Sequence, residues 1–175
     1  MTITRTRAKA GAAREASAHA TATVAPEYAP LAAGIGAWTA DVVMTMGGQP
    51  MMKSQATEVV TPICEGRWFW SDFRSEMMGQ PFEGHGLTGY DPVSKTYVAY
   101  WIDSMSPFLM TTNGVYDAKT KAFTMHGDCI LEDGKPGKVK EVQTAQGDDA
   151  RELQMTFTGA AGESVMTITY HRKKG

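Results

Sequence analysis

Gly66 to Ser106 reads GRWFWSDFRSEMMGQPFEGHGLTGYDPVSKTYVAYWIDSMS. Three stretches of alternating apolar and polar residues are separated by two turn signals, one around Gly79-Gln80-Pro81 and one at Asp91-Pro92. Alternation with a period of two, broken by turn residues, is the mark of strands with one buried face joined as consecutive hairpins. The register of these hairpins can be derived. If Tyr90 pairs with Tyr97, the next same-face pairs are Thr88 with Ala99, Gly86 with Trp101 and Gly84 with Asp103. The parity carries back through the Pro81 turn and places Phe69, Ser71, Phe73 and Ser75 on the same face. Asp72, Arg74 and Glu76 then point outward, as charges should.

Working outward, the same pattern recurs from Trp38 to the C-terminus. Trp38, Ala40, Val42, Met44 and Met46 alternate along a first strand that Gly47-Gly48 ends. A weaker strand covers about 53–61 and stops at Pro62. Further strands are expected at about 67–76, 82–91, 95–105, 108–117, 121–131, 138–146, 151–158 and 163–172. Turn residues such as Asp133-Gly134, Pro136-Gly137 and Gly147-Asp148 punctuate them. About ten strands at this spacing predict an all-β, antiparallel up-and-down barrel. Pro26 to Gly36 (PEYAPLAAGIG) fits a short N-terminal helix, with Pro26 at its start and Gly34 and Gly36 at its stop. Residues 26–175 are expected to form a single barrel domain, and 1–25, rich in Ala, Thr and Arg with a single acid, a tail without stable structure.

Two segments share one turn chemistry. Tyr90-Asp91-Pro92-Val93-Ser94-Lys95-Thr96-Tyr97 and Tyr116-Asp117-Ala118-Lys119-Thr120-Lys121-Ala122-Phe123 both run aromatic, Asp, three residues, Lys, one residue, aromatic. Each is read as a four-residue loop pairing its aromatics across a hairpin.

Composition limits the function. The 175 residues suffice for one domain with a real core, and a net charge of −2 gives no general pull toward nucleic acid or an anionic membrane. No apolar run reaches the roughly 18 residues of a membrane helix. Cys64 and Cys129 make no metal spacing with each other or with a histidine. They are expected as buried free thiols, which favours a cytoplasmic location. Parity turns His85, His126 and His171 outward, so neither an internal metal site nor a haem ligand is expected, and no cofactor is assigned. No Ser sits on a G-x-S-x-G elbow, and Gly84, Gly86 and Gly89 form no dinucleotide fingerprint because no helix follows them.

The run resembles the bacterial family called domain of unknown function 1579, most densely in EGRW, MMGQPFEGHGLTGYDP and YWIDSMS, over roughly residues 27–173. The resemblance implies a calycin, or lipocalin-like, barrel. Gly36-Ala37-Trp38 is similar to the G-x-W that opens such barrels, and Arg172 to the basic residue that packs over that Trp. Both have structural roles by that reading. The family has no assigned activity, so no catalytic residue carries over.

The function expected is binding of a small apolar or amphipathic ligand in the lumen. Its expected lining is Phe69, Ser71, Phe73, Thr88, Tyr90, Tyr97, Trp101 and Met105, and twelve methionines suit either a pliable pocket or an uneven core. Asp103, the one acid on the inward face of these hairpins, is the candidate acid–base group of an alternative reading, a small cyclase or isomerase. The competing role for Asp103 is a structural acid bonded to a neighbouring hydroxyl, N–H or cation. A third reading is action through the outer surface. Trp68 and Trp70 fall outside and suggest a contact face, here read as that of a homodimer.

Overall fold

The computed structural model describes residues 25–131 and 133–174. The expected tail, residues 1–25, thus lies almost wholly outside the described residues. The described chain starts with a 3-10 turn, Pro26–Tyr28, and one turn of α-helix, α1 (Ala29–Ala32). Ten strands follow: β1 (Gly36–Met46), β2 (Gln49–Ile63), β3 (Trp68–Met77), β4 (Gln80–Asp91), β5 (Thr96–Asp103), β6 (Ser106–Asp117), β7 (Ala122–Ile130), β8 (Pro136–Ala145), β9 (Ala150–Gly159) and β10 (Gly162–Arg172). Each pairs antiparallel with its sequence neighbours, and β1 pairs with β10 to close an up-and-down barrel. Closure leaves no sheet edge. No described helix is long and apolar enough to cross a membrane.

The register matches the derived parity. Tyr90 faces Tyr97, Thr88 faces Ala99, Gly86 faces Trp101 and Gly84 faces Asp103. One inward face carries Trp38, Ala40, Val42, Phe69, Phe73, Phe82, Ile168 and Tyr170 into a single core cluster. A second cluster, Tyr97, Phe123 and Met125, packs with Tyr90, Ala99 and Tyr116. Burying one such aromatic side chain stabilises the fold by about 1.5–3 kcal/mol.

The two Asp turns are alike in detail. Asp91 accepts from the Val93 N–H at 2.9 Å and the Ser94 hydroxyl at 2.6 Å, and Asp117 from the Lys119 N–H at 2.8 Å and the Thr120 hydroxyl at 3.0 Å. These donors hold both carboxyls below the usual carboxylate range. Lys95 and Lys121 close the loops with φ of 57° and 52°. The aromatic pairs then meet, Tyr90 with Tyr97 at 5.2 Å and Tyr116 with Phe123 at 4.7 Å between ring centroids.

Three expectations about elements are corrected. β2 runs from Gln49 to Ile63, through Pro50 and Pro62. A shift in the β1–β2 register between Met44 and Thr45 accommodates Pro50, and Pro62 falls next to the strand's end. β5 ends at Asp103, because a tight turn at Ser104-Met105 starts there. Cys64 is exposed, since it opens the 3-10 turn between β2 and β3 with a left-handed φ of 49°; Cys129 is buried, and both are free.

Candidate functional site

The barrel has two unlike ends. At one, the helical turn lies across the opening, and Tyr28, Leu31 and Ile35 pack on the core. Its backbone is held by side chains from the wall. Trp38 Nε1 donates to the Gly34 carbonyl at 2.9 Å, and Tyr97 Oη donates to the Glu27 carbonyl at 2.7 Å. Arg172 donates to the carbonyls of Ile35 at 2.7 Å and Ala33 at 2.9 Å, with its guanidinium 4.2 Å from the Trp38 ring. Carbonyls at a helix C-terminus lack intrahelical partners, and a guanidinium supplies several donors in one plane.

Beneath this plug sits an internal ion pair. Arg151 of β9 meets Glu58 of β2, and the Ser71 hydroxyl donates to the same carboxylate. The inward residues lying between them in register include Ala40 and Ala56, whose small side chains leave the space. The Arg151 guanidinium lies 4.5 Å from the Trp38 ring and 4.3 Å from the Tyr170 ring. Aromatic faces attract a desolvated cation, so Trp38 and Tyr170 offset part of the cost of burying Arg151. The Tyr170 hydroxyl is pushed well up, first by burial and then by the nearby Glu58 charge.

The opposite end carries the turns at Gly47-Gly48, Met78-Gly79 and Ser104-Met105, with no helix over it among the described residues. Methionines collect here. Met46, Met51, Met78 and Met105 stand exposed at the rim. From the rim, directly paired residues form a row along the inner wall: Met52, Met44, Met166, Met155, Glu141 and Met125, across β2, β1, β10, β9, β8 and β7. The row goes on through Gly114 to Tyr97 and Tyr90, beside the plug. It therefore winds from the open mouth to the closed end.

Glu141 is the one acid in that row. Its nearest polar partner is the Thr112 hydroxyl, which donates at 3.4 Å, a weak bond. Burial pushes its pKa up to about 7, opposed only by Thr112. The side chain keeps some surface on the lumen although most atoms around it are protein. It pairs in register with Met125 and Met155, neither of which carries charge. Among the described residues, Glu58 is thus paired with Arg151, whereas Glu141 has no cationic partner.

Each residue singled out from sequence has a definite place. Phe69, Phe73 and Tyr97 are buried on the inner face, and Ser71, Thr88, Tyr90 and Trp101 face inward with part of their surface open. Met105 does not line the lumen: it stands 56% exposed in the β5–β6 turn, because the strand stops two residues before it. Asp103 shares the face of Trp101 and makes three hydrogen bonds. It accepts from Trp101 Nε1 at 3.0 Å and from the Met105 and Ser106 N–H groups at 2.9 Å each. These are the bonds of a turn-forming acid.

Trp68 and Trp70 do face outward, but each is half-buried against its own barrel. Trp68 lies over Gly89, where an added Cβ would come within 2.6 Å of the ring. Trp70 stacks on His85 at 5.2 Å. His85 Nε2 is 2.8 Å from Glu83 Oε1, and the Arg74 and His85 donors hold the Glu83 carboxyl below the usual range.

Glu58, Glu141 and Arg151 were missed from sequence. Alternation along 53–61 marks Glu58 as inward, and the pairing of Met155 with Met166 fixes Arg151 on the same face. Both positions are charged, and that masked the signal.

The chain matches the family described as Protein of unknown function (DUF1579) over residues 23–172, and so belongs to it. No curated protein matches. Among solved structures, the S-type phycobiliprotein lyase CPES from Guillardia theta is similar at 9% identity and a TM-score of 0.58, covering 82% of this chain and 90% of that one. EF1p2_mFAP2b bound to DFHBI is similar at 11% identity and a TM-score of 0.46, covering 84% and 99%. A redesigned β-barrel is similar at 15% identity and a TM-score of 0.44, covering 82% and 94%. At 9% identity the likeness to the lyase is one of fold.

Proposed function

We propose that this member of the DUF1579 family binds a small apolar or amphipathic molecule in its lumen, taken up through the methionine-lined mouth. One observation carries the reading. Inward residues at mid-barrel, among them Thr88, Ala99, Trp101, Leu153 and Met155, keep accessible surface although a closed wall surrounds them. A packed core leaves no such surface. Ten strands also enclose a wider interior than the eight that side chains just fill.

The chemistry of the wall suits such a guest. Thioethers are flexible and polarizable, and they adapt to irregular apolar shapes and to aromatic rings. A few polar groups, Ser71, Thr88 and Glu141, would orient the molecule against apolar walls. Asp103 spends its hydrogen bonds on a turn, so the proposal gives it no proton transfer. A homodimer through Trp68 and Trp70 is not required by this reading, because both rings are already packed.

Native mass spectrometry of the protein purified from its own cells tests it. A retained molecule of a few hundred daltons, lost when Ala99→Trp narrows the lumen, is the expected result. Apoprotein alone, before and after incubation with apolar small molecules, would count against it.

A further inference from the structure

The uncompensated acid of the inner wall bears on what the guest is. This inference rests on the lumen-binding reading and adds the chemistry of the guest to it. We propose that the ligand carries a protonated amine, seated against the Glu141 carboxylate, on a slim apolar body lying along the methionine row.

The charges around Glu141 support a cation. On β7, the inward neighbours are Phe123, Met125 and Gly127; on β9 they are Leu153, Met155 and Phe157. None of these ionises. On β6 the facing group is Thr112, a hydroxyl. His126 and Asp128 of β7, Lys138 and Lys140 of β8 and Glu152 of β9 point outward by alternation. Among the described residues, the other inward ionisable groups are Glu58, Arg151, Arg172, Asp103, Cys129 and the tyrosines Tyr90, Tyr97, Tyr116 and Tyr170. Arg151 is committed to Glu58, Arg172 to the plug carbonyls and Asp103 to its turn. An ionised Glu141 therefore has no cation beside it among the described residues, and an ammonium group would supply one with charge-assisted hydrogen bonds.

The surroundings fit the rest of such a molecule. The row on the rim side of Glu141 is Met155, Met166, Met44 and Met52, an unbroken apolar track to the mouth. An amine that enters head first would rest its head on Glu141 and its chain on these thioethers. A carboxylate head would meet repulsion, and an alcohol would donate one hydrogen bond without bringing a compensating charge.

Three probes of equal length separate the possibilities: n-octylamine, 1-octanol and octanoate, titrated into the full chain at pH 8 by calorimetry. Octylamine should bind about tenfold or more tightly than octanol, and octanoate most weakly. Glu141→Gln should remove the preference for the amine, so that octylamine and octanol then bind alike. Glu141→Asp, which keeps the charge, should retain part of the preference. Equal affinity for octylamine and octanol, or a preference that survives Glu141→Gln, would overturn the amine assignment and leave lumen binding standing. Binding of none of the three would overturn both. A single cooperative melting transition in each variant shows that the fold is intact.

Discussion

Two acids on one inner wall have different environments, and this sets what each can do. Asp103 is ringed by three donors, whereas Glu141 has one weak donor and thioether neighbours. Asp103→Ala strands the Trp101 Nε1 and two turn N–H groups, and should lower stability by about 1–3 kcal/mol in a denaturant titration. Glu141→Gln should act in the opposite direction. The Glu141 carboxyl is raised from 4.5 to about 7, so the folded state holds a proton that the unfolded chain has released between those values. Stability from this group is fully present below about pH 4.5, declines as pH rises to about 7, and is level above that. At pH 8 the wild type should therefore be less stable than Glu141→Gln by at most about 3 kcal/mol, while the two coincide near pH 4. Parallel unfolding curves across that range would refute the assignment. From sequence, Asp103 drew attention because it lies in the densest run of hairpins. Glu141 sits in KVKEVQT, where flanking charges hide its parity, and only pairing with Met125 and Met155 shows it turned inward.

At the level of elements, alternation and turn residues located all ten strands, because period two and turn chemistry are local properties. The hairpin from Tyr90 to Tyr97 even yielded its register, since a four-residue Asp loop leaves one choice. What depends on the distance between strands could not be read. Gly114 and Gly127 show this. An added Cβ at Gly114 would lie 1.9 Å from the Thr124 carbonyl oxygen, and at Gly127 2.1 Å from that of Thr111. At Gly84 the obstacle is instead a side chain, Trp101 Cζ2 at 2.2 Å. Backbone cannot step aside within a paired sheet, whereas an indole that is partly open to the lumen can. Gly84→Ala should therefore cost about 1–3 kcal/mol through a displaced Trp101, visible as changed tryptophan fluorescence. Gly114→Ala should cost more and loosen the β6–β7 pairing, seen as faster amide exchange there. Equal costs with no change in exchange would contradict the distinction. The strand ends were also hidden, as Met105 illustrates: alternation runs on past Asp103, but the turn that Asp103 builds ends the strand first.

The described residues form a barrel with a plug across one end and none across the other, its polarity written along the wall. Arg172, Trp38 and the Arg151–Glu58 pair hold the plug, and the methionines gather toward the mouth. That division follows from which strand ends carry tight turns, a topological fact that no single segment of sequence contains. It also supplies natural probes of the central claim, since methionine methyl groups lie both inside the lumen and on the rim. Methyl NMR of the 13C-methionine protein, titrated with n-octylamine or 1-octanol, reads each position separately. If the lumen binds, the inward methyls of Met44, Met155, Met166 and Met110, which pairs with Trp101, should shift and saturate together, while exposed Met78 stays where it was. Shifts confined to the exposed rim methyls, or none at all, would contradict a binding lumen.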